Sequence, residues 1–149
     1  MYKHMPETHP YCRCLFYTSN ALARVTTRVA AEAFAPTGLA PSAAYVLLSV
    51  LRDPGCGPGH VAEVMMLDRS TVTRLIEGLE KKGLVRRQAR GRTVELSPTA
   101  AGLALEAQLK QCGRRAYERF QKLVGPDMAR LTGRVFEAAQ AMEGGSSRP

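Results

Sequence analysis

Apolar residues return at helical intervals along most of the chain, and the interruptions between them mark the elements. From residue 11 to 34 neither Pro nor Gly occurs, while Leu15, Leu22, Val25, Val29 and Ala33 recur three, four or seven positions apart. That is the stripe of an amphipathic helix. The segment "APTGLAPS" breaks it. Pro41 suits the first position of a second helix, and "SAAYVLLSVL" is apolar enough to be buried before Asp53-Pro54 ends it. The turn-rich "DPGCGPGH" reads as a connector: it lacks the Gly-Lys-Ser/Thr ending of a phosphate-cradling loop, and no strand leads into it. A short helix over about 58–66, a tight turn at Leu67-Asp68 and a fourth helix over about 69–82 follow. In the fourth, Val72, Leu75, Ile76 and Leu79 stand at i, i+3, i+4 and i+7 and form one buried stripe.

Gly83 suits the position just past a last helical turn. The period then shortens. "LVRRQ" and "TVELS" favour strands, and "ARGR" between them contains Gly91, which permits a tight turn. Ser97 is expected to cap, and Pro98 to open, a long helix to about 124. Gly125-Pro126 stops it, Asp127 assists a last helix to about 142, and "EGGSSRP" reads as a frayed tail. The pattern predicts a mainly α chain with a small β-hairpin inserted after the fourth helix.

Composition narrows the class. The 149 residues fit one compact domain at about 11–143, between a flexible leader (1–10) and a disordered tail (144–149), with room for elements that need a partner to bury them. A formal net charge of +8, with a local excess between Arg69 and Arg92, favours a polyanion such as nucleic acid. No apolar run reaches the length of a membrane span and the N-terminus shows no apolar signal core, so a cytoplasmic protein is expected. No HExxH, nucleophile elbow, paired-Cys redox motif or dinucleotide fingerprint occurs, so neither an enzyme nor a cofactor is expected.

A short helix, a tight turn and a second helix with polar groups at its N-terminal end follow helix-turn-helix logic. Asp68 is placed to cap the fourth helix. Ser70, Thr71, Thr73 and Arg74 fall mainly opposite the apolar stripe. There the hydroxyls can reach base edges or phosphates, and Arg74 can reach guanine O6 and N7. Arg86, Arg87, Arg90 and Arg92 surround the hairpin and make it a basic wing, suited to a minor groove or its flanking phosphates. Arg69 joins this candidate DNA-contacting set, as does His60, which beside the turn suits a phosphate better than general-base work. Glu77, Glu80, Lys81 and Lys82 read as a solvated face, with Glu77 and Lys81 at i, i+4.

"HVAEVMMLDRSTVTRLIEGLEKKGLVRR" and the later "VELSPTAAG" resemble the winged-helix core of the MarR family of bacterial transcription regulators. The resemblance covers about residues 58–102 at motif level and nearly the whole chain in helix order. It implies a winged helix-turn-helix fold with a DNA-binding core at about 40–97 and dimerisation helices at about 11–34 and 98–143. It also implies a homodimer on a pseudo-palindromic operator, usually a repressor released by a small-molecule inducer or an oxidant. Family positions carry onto Ser70, Thr71, Thr73, Arg74, Arg90 and Arg92. The family's wing commonly holds an Asp-x-Arg pattern, whereas "RRQARGRTVELS" has no Asp.

"YCRCLFYTSNALAR" is similar to the start of the organic-peroxide-sensing branch, which makes Cys12, with Cys14 two residues on, a redox-sensing candidate. A thiolate near a helix N-terminus is stabilised by the dipole, and Cys56 or Cys112 is a candidate resolving thiol. The branch's paired tyrosines are replaced by Ala40 and Ala43, with Tyr17 and Tyr45 as candidate substitutes. Two other readings stand beside it: small buried residues at a dimer seam, or a soft ligand set of His9, Cys12 and Cys14 with His4, in a spacing that fits no structural zinc pattern. A ligand pocket is expected from helices one, two and five. The alternatives for the whole chain are a winged-helix protein–protein module and a metal-responsive regulator.

Overall fold

The computed structural model describes residues 9–146. The expected leader and tail lie largely outside this range, as does His4. Seven α-helices and one hairpin are found among the described residues. Helix α1 (Leu15–Phe34) starts later than the periodicity suggests. Pro10 opens a turn held by Cys12 N–H to the His9 carbonyl (3.3 Å) and Cys14 N–H to the Tyr11 carbonyl (3.0 Å), which leaves Cys14 as the N-cap without a side-chain bond. After a 3₁₀ turn (Ala35–Thr37), α2 (Pro41–Arg52) runs through the centre of the molecule. Its Ala44, Val46, Leu47 and Val50 are fully buried, and it touches α1, α3, α4 and β2.

Helices α3 (Pro58–Met65) and α4 (Arg69–Lys81) end by the same device. Past α3, Met66 is left-handed (φ 52°), its N–H meets the Glu63 carbonyl, and Leu67 N–H reaches back to Ala62. Past α4, Gly83 (φ 70°) meets Glu80 and Leu84 reaches Leu79. Both are Schellman closures, and both tuck the following Leu against the core. Gly takes the left-handed conformation without cost; Met66 takes it with some strain.

Strands β1 (Val85–Arg90) and β2 (Thr93–Pro98) pair antiparallel from Val85 opposite Pro98 to Arg90 opposite Thr93, so only Gly91 and Arg92 make the turn. The connector after α2 adds a short third rung: Gly55 N–H donates to the Leu96 carbonyl (2.7 Å) and Leu96 N–H to Cys56 (2.9 Å).

The following helix differs from expectation. Pro98 ends the strand, and Thr99 rather than Ser97 is the cap, because its hydroxyl meets two partners at once. It accepts Gly102 N–H (3.1 Å) and donates to the Gly83 carbonyl (2.5 Å) across the wing's base. The expected single helix is divided into α5 (Ala100–Ala104) and α6 (Glu106–Val124). In α5, Gly102 lies so close to the Leu84 carbonyl oxygen that a Cβ there would collide with it. Helix α7 (Met128–Ser146) runs through Gly144 and Gly145, past the expected end. Helices α1 and α6 pack together, with Arg119 paired to Glu32 and Gln108 Nε2 donating to the Pro36 carbonyl (3.3 Å).

Candidate nucleic-acid interface

Val72, Ile76 and Leu79 are buried and Leu75 is partly so; they hold α4 against α2 and α3. The opposite side begins at Asp68. Its carboxylate accepts Thr71 N–H (2.8 Å), the Thr71 hydroxyl (2.7 Å) and the Ser70 hydroxyl (2.5 Å). Those bonds, Ser70's first, hold the Asp68 carboxyl well below the usual carboxylate range. Thr73 donates to the Arg69 carbonyl (2.8 Å), and Arg74 Nη2 lies 3.5 Å from Thr71 Oγ1. The hydroxyls, expected as DNA contacts, are also working parts of the helix start. Ser70 and Arg74 remain exposed beside them.

The wing stands next to α4 and is fastened to it. Glu80, expected on a solvated face, accepts Arg87 Nε at 2.7 Å and Arg87 N–H at 3.2 Å. One carboxylate thus fixes both the side chain and the backbone of β1. The chain folds back after Gly83 to bring these residues together, and helical periodicity carries no signal of that return. At the tip, Arg90 pairs with Glu95 at 3.2 Å. Arg86 and Arg92 are exposed and have no ion pair among the described residues. Among the described residues Glu77 and Lys81 form no ion pair either.

Two further candidates sit off this face. The Arg69 guanidinium lies across Gly59 at the start of α3. His60 faces Asp53 at 3.6 Å in a cleft of about 720 Å3 lined by Tyr45, Leu48 and Arg52 from α2 and by Val64 and Met65 from α3. A second cleft of about 800 Å3 lies between the α3–α4 turn and Phe136 and Gln140 of α7. Neither cleft is walled by helices one, two and five as expected, because α2 turns its inner face wholly into the core and leaves only its outer side open.

At the head of α1, His9 turns to aromatic neighbours: Nε2 is 3.3 Å from the Tyr17 hydroxyl, and the ring centroids of His9, Tyr11 and Tyr17 lie 5.2–6.4 Å apart. No group of three His, Cys, Asp or Glu among the described residues is placed to hold a metal ion, so His9, Cys12 and Cys14 do not converge as a ligand set. All four cysteines are free thiols. Cys14 is exposed and Cys12 half-buried, whereas Cys56 and Cys112 are core residues, out of reach as resolving partners without unfolding. Burial pushes the Cys56 thiol up from its ordinary value, and the charge of Asp53 adds to the effect.

The sequence model of the MarR family matches residues 37–93, from the end of the 3₁₀ turn to the hairpin tip. The match extends in three dimensions. The M. tuberculosis transcriptional regulator MosR superposes with a TM-score of 0.74 at 25% identity, covering 88% of this chain and 98% of its own. The chain is similar to MarR-family regulators, in sequence over residues 37–93 and in fold over most of its length. A mutant of E. coli MarR complexed with operator DNA superposes at 0.73 with 21% identity, over 83% of this chain and 91% of its own. CouR from Rhodococcus jostii RHA1, bound to p-coumaroyl-CoA, superposes at 0.69 with 24% identity, over 85% and 89%. No curated protein sequence matches. It shares the winged helix-turn-helix fold of these structures, with α3 and α4 as the helix-turn-helix and β1–β2 as the wing. No single helix among the described residues is long and apolar enough to cross a membrane. The α1–α2 pair, bent by 62°, is long and apolar enough together, but α2 is the central core helix.

Proposed function

We propose that this chain is a sequence-specific DNA-binding regulator, acting in the cytoplasm as a homodimeric repressor on a pseudo-palindromic operator. The observation that carries this reading is α4: anchored by Val72, Ile76 and Leu79, it presents Ser70, Thr73 and Arg74 beside a wing whose Arg86 and Arg92 are unpaired by acids. The operator-bound E. coli relative lends the DNA partner. The homodimer rests on large apolar side chains left in the open on α1 and α7, among them Phe16, Val25, Phe136 and Met142.

Selection of bound duplexes from a random pool tests the reading. An enriched palindrome is expected, with affinity falling steeply and linearly on a logarithmic salt scale as phosphates are neutralised. No enrichment and a flat salt response contradict it. For the releasing signal, the ligand-bound relative CouR and the 720 Å3 cleft favour a small molecule. Oxidation at Cys12 or Cys14 is the second reading, favoured by the accessibility of Cys14. Peroxide treatment of Cys12→Ser and Cys14→Ser separates the two: unchanged operator release in both variants removes the thiols from the mechanism.

A further inference from the structure

The hydroxyls of α4 have no proton left to give. Asp68 is ionised at neutral pH, and an ionised carboxylate can only accept. The 2.5 Å contact of Ser70 Oγ with Asp68 Oδ1 and the 2.7 Å contact of Thr71 Oγ1 with Oδ2 are therefore donated by the hydroxyls. Thr73 Oγ1 lies 2.8 Å from the Arg69 carbonyl oxygen, which likewise accepts only. Thr71 is further occupied by Arg74 at 3.5 Å. With those protons committed, Ser70 and Thr73 keep acceptor lone pairs to offer a partner.

Phosphate oxygens are acceptors too, so hydroxyls held this way have nothing to offer the backbone of a duplex. The donors on the floor of a major groove are the N6 amino group of adenine and the N4 amino group of cytosine; guanine and thymine present acceptors there. Resting on the DNA-binding reading above, we propose that Ser70 and Thr73 select an amino-bearing base, adenine or cytosine, while Arg74, the donor on the same face, selects guanine. Ser70, Thr73 and Arg74 stand at i, i+3 and i+4 and so share a face. Ser70 and Arg74 are about 6 Å apart along the helix axis, roughly two base steps. Every base pair carries one amino base, so the hydroxyls distinguish A·T from T·A and C·G from G·C, and treat adenine and cytosine alike.

The test uses the full-length protein and the operator recovered from the random pool. Each adenine in turn is replaced by purine, and each cytosine by pyrimidin-2-one, which removes only the amino group. Wild-type protein is expected to lose roughly three- to tenfold in affinity at the positions read, the worth of one hydrogen bond. Ser70→Ala or Thr73→Val is expected to be weaker on the unmodified operator and indifferent to the deletion at its own position. Ser70→Ala leaves the Asp68 cap in place through Thr71. An enriched operator on which both variants lose as much as wild type at every deleted amino group overturns the proposal. So does enrichment of guanine or thymine at the positions these variants affect. Absence of any enriched sequence overturns the DNA-binding reading itself, and this proposal with it.

Discussion

The winged part of the molecule and its helical arms treat their apolar residues in opposite ways. From Leu39 to Leu96 most large side chains meet in one core, with Leu47, Ile76, Leu79 and Leu96 at 1% exposure or less. Most large residues of α1 and α7 stand in water instead, Phe16 at 78% and Phe136 at 53%, although Val29, Phe34 and Met128 are buried. The winged part is thus a finished domain, while the arms leave apolar stripes uncovered. On the homodimer proposed above, a second copy of the chain would supply matching stripes, as closed symmetric pairing requires.

The comparison predicts different failures for the two parts. Ile76→Ala removes a fully buried side chain and is expected to cost about 2–5 kcal/mol in denaturant unfolding, at any protein concentration. Phe136→Ser is expected to shift a dimer to monomer in sedimentation while leaving the unfolding of the winged part nearly unchanged. An equal, concentration-independent loss for both breaks the comparison. At the junction, Gly102→Ala drives a methyl into the Leu84 carbonyl and is expected to cost about 1–3 kcal/mol, read in the same unfolding measurement.

The wing should show a smaller division of its own. Arg86→Ala and Arg92→Ala are each expected to lower the salt slope of DNA binding by about 0.9, one phosphate contact. Arg87→Ala and Arg90→Ala should lower it less, because Glu80 and Glu95 already neutralise those cations. The smallest effect concerns the cap. Folding makes Asp68 more acidic, so its contribution to stability is complete above the ordinary carboxylate range, near about pH 4, and fades as pH falls toward the lower folded value. Asp68→Asn should therefore lower stability most at pH 7, where the charged cap contributes fully, and its difference from wild type should shrink as pH falls below about 4.

The periodic signals in the sequence were sufficient where structure is local. The stripe of α4, the Gly83 stop and the position of the hairpin follow from spacing alone, and so does Asp68 as a cap. What spacing could not convey is set by residues that meet only after the chain returns on itself. Thr99 wins the cap from Ser97 because the Gly83 carbonyl, 16 residues away, receives its hydroxyl. Glu80 looks like a solvated acid until β1 folds back onto it. Arg90 counts as a wing-tip cation in the sequence and is half of an ion pair in the structure. Cys56 and Cys112 seemed available as thiol partners because burial is not a property of Cys spacing. The α7 extension through Gly144 and Gly145 had no positive signal; no Pro stands before residue 149 to stop it.

The grip of Glu80 on Arg87 fixes the spacing between α4 and the wing. With side chain and backbone both held, helix and wing would, on the proposed DNA-binding function, address DNA as a single gauge of fixed span. A half-site lengthened by one base pair between their two footprints rotates one footprint by roughly 35° relative to the other. A loose wing could follow that rotation. This one must let go of one footprint to keep the other.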